Sequence, residues 1–331
     1  MKVIIPVAGA GTKLRPHTYT QPKALIPVAG KPILSFLIDD LLKAGLNDYV
    51  FVVGYLGEKI RDFVKAKYPG LNAQFVEQAT REGIGHAVWL TKSKVGENEE
   101  VFVVLGDSVF DVDFKEFAHH PGSVLGIKKV EDPRGFGVAE LDADNIITRV
   151  TEKPQFPKSN MALTGLYKVK ESKLLFDTLD ELVKKNERTH DEIQLTDAIM
   201  NMIDKGIKFT GLKVPNWFDC GKKEVLLETN TILLKKFSYA TKELPPYENT
   251  IIIHPVNIAP DCAIRNSIIG PNVTIGANTS IVYSIIKDSI IGSYSVLEDV
   301  QLSRSVIGSD ATVRGLSQSL NIGDNTEIDL R

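Results

Sequence analysis

At 331 residues the chain is longer than one hydrophobic core usually serves, which predicts two domains. Its 43% hydrophobic and 24% charged residues are those of an ordinary globular protein and exclude fibrous and low-complexity classes. A net charge of -3, from 39 Lys and Arg against 42 Asp and Glu, argues against nucleic acid as a partner but leaves room for a local basic pocket that holds phosphates.

Short β-branched runs alternate with longer helical patterns through the first two thirds of the chain. Strands are expected at 2–7, 49–53, 73–77, 101–105, 123–128, 137–141, 162–169 and 208–213. Helices are expected at 33–44, 58–67, 85–93, 173–185 and 194–205. Such alternation implies a Rossmann-like α/β domain, residues 1–241, with a mixed, mostly parallel sheet covered on both faces. At Lys242-Glu243-Leu244-Pro245-Pro246 the helical period is lost, and paired prolines cannot continue a helix. A second domain, 242–331, begins there.

In that second domain isoleucines recur every six residues at Ile269, Ile275 and Ile281. Phase-shifted pairs follow at Ile291/Leu297, Ile307/Val313 and Ile322/Ile328. A glycine follows Ile269, Ile275, Ile291, Ile307 and Ile322. A six-residue period places one aliphatic side chain on each face of a triangular prism, so that coils stack; hairpins with Ile-Gly turns are the alternative. The segment resembles the left-handed parallel β-helix of hexapeptide-repeat proteins.

The first strand runs into Val7-Ala8-Gly9-Ala10-Gly11-Thr12-Lys13-Leu14-Arg15-Pro16, a glycine-rich loop followed by basic residues. Glycines let backbone N–H groups approach phosphate oxygens, and Lys13 and Arg15 add positive charge. A P-loop is excluded, because no Gly-Lys pair precedes Ser or Thr. A dinucleotide fingerprint would want glycine at Leu14 and an acid about twenty residues on, and has neither. Alone, Gly9-Ala10-Gly11 could be a plain strand-to-loop turn.

The continuation Thr18-Tyr19-Thr20-Gln21-Pro22-Lys23-Ala24-Leu25-Ile26-Pro27-Val28-Ala29-Gly30-Lys31-Pro32 puts a second lysine in a proline-constrained loop. Together the two segments resemble the signature of the sugar-1-phosphate nucleotidylyltransferase family, GxGTRLxPxT followed by PKxxxPVxxKP. The resemblance implies that Ala8, Gly9, Ala10, Gly11 and Thr12 wrap the phosphates of a nucleoside triphosphate. It also implies that Lys13 holds the departing pyrophosphate and that Lys23 contacts the α-phosphate. Lys13 stands where the family has arginine, which keeps the charge and gives up the planar two-pronged grip.

Further family-like segments follow in order. Gln78 and the Gly83 backbone occupy the base-reading positions; a carboxamide can donate to a pyrimidine carbonyl and accept from its ring N–H, which suits uracil or thymine. His86 is left without assigned chemistry. Asp107, at the end of a buried strand, and Asp219 match the family's ligands for Mg²⁺, which prefers carboxylates together with substrate phosphates. Ser108 replaces an asparagine common beside the first of these. By resemblance Gly137, Glu152, Lys153 and Thr164 belong to the sugar-phosphate pocket.

The expected reaction is transfer of a nucleotidyl group from dTTP or UTP to a sugar 1-phosphate, most simply glucose 1-phosphate, with Lys13, Lys23 and Asp107 as the catalytic groups. A guanylyltransferase acting on mannose 1-phosphate and a non-catalytic regulatory paralogue are the alternatives. Two cysteines without a CxxC pair give neither a disulfide framework nor a sulfur metal site, which fits a reducing compartment. The opening apolar run is too short for a signal peptide and no segment is apolar enough to span a bilayer, so a cytoplasmic chain without a membrane partner is expected. The β-helix suggests assembly into a homo-oligomer.

Overall fold

A computed structural model describes residues 1–237 and 244–315. Two compact units are present, Met1–Thr229 and Asn230–Arg331. The boundary expected after residue 241 falls within 238–243, and Ile322 and Ile328 within 316–331, so these lie outside the described residues.

In chain order the first unit contains β1 (Lys2–Pro6), β2 (Pro27–Val28), β3 (Lys31–Pro32), α1 (Ile33–Lys43), β4 (Asp48–Val53), α2 (Gly57–Lys67), β5 (Asn72–Glu77), α3 (Ile84–Trp89), β6 (Val101–Val104) and β7 (Ser108–Asp111). It continues with α4 (Phe114–His119), β8 (Ser123–Lys129), β9 (Gly137–Leu141), β10 (Ile147–Glu152), β11 (Met161–Val169), α5 (Ser172–Lys185), α6 (Leu195–Asp204), β12 (Phe209–Lys213) and β13 (Asn216–Asp219). The helix α7 (Lys223–Lys236) starts in this unit and ends in the second.

The nine-stranded sheet has the order β10-β9-β11-β6-β1-β4-β5, with β8 on β11 and β12 on β8. Strands β6, β1, β4 and β5 are parallel, whereas β11 runs antiparallel to β6, β8 and β9. Successive residues of a strand face opposite sides. Ile4, Val52, Val101 and Val103 accordingly enter one buried cluster, and Val3, Ile5, Phe51, Phe102 and Val104 enter the other. Both faces are covered, which is why these strands read as continuous apolar runs.

The helices obey the same logic. On α1 the spacing of Ile33, Leu34, Leu37, Ile38 and Leu41 produces one buried stripe. The helix ends where Gly45, at φ 83, lets the Gly45 and Leu46 N–H groups turn back onto the Leu42 and Leu41 carbonyls. Truncating a buried member such as Leu37 to alanine costs about 2–5 kcal/mol.

The topology sets where a ligand binds. From β1 the chain moves outward through β4 and β5, then returns to place β6 on the other side of β1. Ligands of open α/β sheets bind in the crevice at the carboxyl ends of strands flanking such a reversal. The loop after β1, Gln78 after β5 and Asp107 after β6 all leave from those ends.

The second unit is a parallel β-helix of the left-handed kind, with three four-stranded parallel sheets as prism faces. Its core is three in-register stacks: Ile252–Ile269–Ile286–Leu302, Ile258–Ile275–Ile291–Ile307 and Ile264–Ile281–Leu297–Val313. The repeat is therefore not uniformly six. Ile281 to Ile286 and Ile286 to Ile291 are shorter steps, and these explain the phase shifts visible in the sequence. Corners are carried by residues in the left-handed region, among them Asp261, Asn278, Tyr294 and Asp310, stacked at one edge with φ of 57 to 59. Asn and Asp tolerate that region better than other side chains bearing a Cβ.

Candidate active site

A cleft of about 420 Å³ opens at the carboxyl ends of β1, β5 and β6. Ala8, Gly9, Gly11, Thr12, Lys13 and Lys23 line it, together with Gln78, Gly83, Asp107 and Asp219. Of the residues read as nucleotide- or metal-binding, Ala10 alone does not reach this lining; its side chain is buried. The loop is anchored by buried Leu14, by the Leu14 N–H on the Gly11 carbonyl at 2.9 Å, and by the Thr18 hydroxyl on the same carbonyl at 2.9 Å. Gly11 sits at φ 59, and a Cβ there would stand 2.9 Å from Thr18 Cγ2.

Asp107 and Asp219 are far apart in the chain and are brought together by a two-stranded antiparallel ribbon. In it β13 pairs with β7 so that Asp219 lies opposite Ser108, the neighbour of Asp107. Both carboxylates converge on one cation: Lys23 Nζ is 2.6 Å from Asp107 Oδ2 and 3.1 Å from Asp219 Oδ1. Burial works to lower the Lys23 pKa, but Asp107 and then Asp219 outweigh it, so the pKa is raised and the ammonium stays charged. Lys23 is thus committed to the two acids here, whereas the sequence reading assigns it to the α-phosphate.

Two carboxylate groups sharing one positive centre suit a divalent cation completed by substrate phosphates and water. Among the described residues no three His, Cys, Asp or Glu side chains gather as a self-sufficient metal site. The donor set fits Mg²⁺ held jointly with a triphosphate.

After β5 the Gln78 side chain is buried and its Nε2 is 3.1 Å from the Gly83 carbonyl. Gly83, at φ 101, crosses the loop that precedes α6 closely. A Cβ on Gly83 would lie 2.5 Å from the Ile193 carbonyl, and one on Gly85 would lie 2.8 Å from the same atom. Hydrogen bonds from Ile193 N to Glu82 O and from Gly85 N to Ile193 O stitch the two segments together.

Two charged residues of the cleft wall were missed by sequence reading, Arg81 and Glu192. Arg81 is exposed and looks like a surface residue in the sequence. Glu192 follows His190 and Asp191, both in the left-handed region at φ 54 and 64, a backbone feature that sequence does not display.

The residues read as sugar-phosphate-binding, Gly137, Glu152, Lys153 and Thr164, lie outside this lining. Gly137 and Glu152 face each other across β9 and β10. Glu152 accepts a hydrogen bond from the Thr196 hydroxyl at 3.0 Å and stands 3.6 Å from Lys153 Nζ. Lys153 occupies φ 40, a strained position for a residue with a Cβ. Edge-to-face contact of Phe136 with Trp217 at 5.0 Å ties this segment to the ribbon that carries Asp219. Thr164, on β11, is wholly buried, and among the described residues its hydroxyl has no partner.

A phosphate-suited loop, a paired-carboxylate centre and a buried carboxamide at one reversal of a parallel sheet define a nucleotide-binding α/β protein. More narrowly, the chain belongs to the nucleotidyl transferase family, whose sequence model matches residues 2–236. It is 30% identical to the glucose-1-phosphate thymidylyltransferase of Streptomyces antibioticus over 366 aligned residues, covering 100% of each chain. It is 39% identical to the bifunctional protein GlmU of Methanocaldococcus jannaschii over 242 residues, 72% of this chain and 55% of that protein. The chain thus matches only about half the length of that relative. A solved UDP-glucose pyrophosphorylase in complex with UDP-glucose shares the fold with a TM-score of 0.60 at 24% identity, covering 71% of this chain and 98% of that one. Among the described residues no helix is long and apolar enough to cross a membrane.

Proposed function

We propose that this nucleotidyl transferase uses UTP or dTTP and glucose 1-phosphate, releasing pyrophosphate. The observation that carries the reading is the convergence of Asp107, Asp219 and Lys23 in the cleft lined by the Gly9–Gly11 loop and Gln78. The thymidylyltransferase named above, aligned over its whole length, supports the sugar and the pyrimidine.

An anionic oxygen of the sugar phosphate attacks the α-phosphorus in line, and pyrophosphate leaves from the opposite side. The nucleophile is already ionised, so no general base is needed; positioning and charge neutralisation dominate such transfers. Backbone N–H groups of the loop hold the triphosphate, and Lys13 neutralises the departing pyrophosphate. Lys153 holds the sugar phosphate, while the Gly137 backbone and Glu152 orient the sugar hydroxyls. Asp107 and Asp219 would hold Mg²⁺, which when bound draws charge from the phosphate oxygens. Lys23 would pass from the acids to the α-phosphate as the ion takes its place.

The ring N–H and carbonyl of uracil or thymine match an acceptor at Gln78 and the Gly83 N–H. Guanine presents the same pair of groups, so GTP belongs in any substrate panel. Assembly into a homo-oligomer and residence in the cytoplasm remain part of the proposal. Pyrophosphate release from each nucleoside triphosphate paired with glucose, galactose, mannose and N-acetylglucosamine 1-phosphates tests the substrate assignment. Preference for GTP, ATP or CTP over UTP and dTTP would overturn the pyrimidine assignment.

A further inference from the structure

His86 has no place in the reaction as described, yet it touches the residue that reads the base. A carboxamide has one donor end and one acceptor end, and which end faces the ligand decides what the site recognises. Gln78 Nε2 lies 3.1 Å from the Gly83 carbonyl and 3.2 Å from His86 Nδ1. A carbonyl only accepts, so one amide hydrogen goes to Gly83. The other goes to His86 when Nδ1 carries no proton. Both donors are then spent inside the protein, and Oε1 is the atom left for a base.

We propose that His86 is a positioning residue that locks the Gln78 carboxamide with its oxygen toward the ligand, so that the site selects bases with a ring N–H and rejects cytosine and adenine. The inference rests on the reading of Gln78 as the base-contacting residue. A ring N–H, as in uracil, thymine or guanine, meets that oxygen with a hydrogen bond. The corresponding ring nitrogen of cytosine or adenine is an acceptor and leaves two acceptors facing each other.

The ring is held for this task. His86 is buried and stacks on Trp89 with centroids 5.6 Å apart and planes 23° apart. The Trp89 indole N–H donates to Asp180 on α5 at 2.7 Å, and Asp180 also pairs with Lys92. Burial lowers the His86 pKa; Glu82, on the preceding segment, raises it, and Arg188, from the loop before α6, lowers it again. Burial thus favours the neutral ring, and Nδ1 is its acceptor because the Gln78 Nε2 beside it can only donate. Protonation would set Nδ1–H against the amide N–H groups, and an amide that turned to relieve this would lose Gly83. Selectivity should accordingly fall as pH drops through the His86 pKa, which lies below the usual histidine value.

The test measures kcat and KM for UTP and CTP, with glucose 1-phosphate and Mg²⁺, on the full-length wild type and on His86→Ala, His86→Gln and Gln78→Ala. His86→Ala should raise the KM for UTP about tenfold, the weight of one hydrogen bond, with kcat held within about threefold. The UTP-over-CTP ratio of kcat/KM should fall by about the same factor. His86→Gln offers a carbonyl acceptor and should restore most of that ratio. As pH falls through the lowered His86 pKa the wild-type ratio should decline and the His86→Gln ratio should stay flat; the triphosphate's own protonation cancels in the ratio. An unchanged ratio in His86→Ala, or the same pH profile in wild type and His86→Gln, overturns the proposal. If His86→Ala does not fold, the pH comparison decides alone. If Gln78→Ala leaves the KM for UTP unchanged, the base reading itself falls; if Gln78→Ala raises it while His86→Ala leaves the ratio intact, only the role of His86 falls.

Discussion

Gly9 offers a clean separation of fold from function. A Cβ built on it meets nothing within 4 Å, and its backbone is not in the left-handed region, so the fold does not require glycine there. Gly9→Ala should leave the protein as stable as the wild type or more so, by about 0.4–1 kcal/mol, through the reduced entropy of the unfolded chain. Gly9 lines the cleft and is exposed, so an added methyl group projects into the space that a phosphate would occupy. Losing one N–H contact to a charged phosphate costs about 1.5–3 kcal/mol, or about 10- to 150-fold in the KM for the triphosphate. Gly11→Ala makes the contrast. Its φ of 59 and the 2.9 Å approach to Thr18 Cγ2 add a strain of about 1–2 kcal/mol, so stability and affinity fall together. Thermal melts and a pyrophosphate-release titration on the same samples read both effects. A Gly9→Ala protein with normal stability and an unchanged KM would refute the assignment of this loop to phosphate.

Other substitutions probe the remaining parts of the cleft. Asp107→Asn and Asp219→Asn should each lower kcat by at least about a hundredfold, the scale of losing one preorganised electrostatic contact in the transition state, and added Mg²⁺ should not rescue them; near-normal turnover in either would remove it from the metal site. Lys23→Met leaves the two acids facing each other, so Mg²⁺ alone should raise its Tm more than the wild type's, at about 2–4 °C per kcal/mol of binding. An identical Mg²⁺ response in both proteins would contradict the exchange of lysine for metal. Gly83→Ala, forced against the Ile193 carbonyl at 2.5 Å and held at φ 101, should lose about 1–3 kcal/mol of stability and raise the KM for UTP. A melt equal to the wild type's would show that the loop yields.

What the sequence made legible follows from how locally each feature is encoded. The buried strands β1, β4 and β6 appeared as unbroken apolar runs, and α1 and α5 appeared by period, because both signals are short-range. The positions of the Ala8–Thr12 loop and Asp107 were readable because they directly follow β1 and β6, whereas Gln78, after the half-exposed β5, was picked out by family resemblance. That Asp107 and Asp219 meet was invisible locally, since the β7–β13 ribbon pairs residues more than a hundred positions apart and neither strand has a strong pattern of its own. The same holds for Glu192, placed by two left-handed residues, and for His86, whose task appears only when its ring nitrogen is seen beside Gln78. In the β-helix the stacked isoleucines and the shifts in their phase were legible, while which steps between faces are shorter appears only once the strands are seen in register.

The central claim, nucleotidyl transfer to a sugar phosphate, is tested most directly by incubating the purified chain with UTP or dTTP, Mg²⁺ and glucose 1-phosphate and following pyrophosphate and the sugar nucleotide together. The account predicts equal amounts of both products, formed only when triphosphate, sugar phosphate and divalent cation are all present. Pyrophosphate release that continues without any sugar phosphate, or no product with any nucleoside triphosphate and sugar 1-phosphate pair, would contradict it.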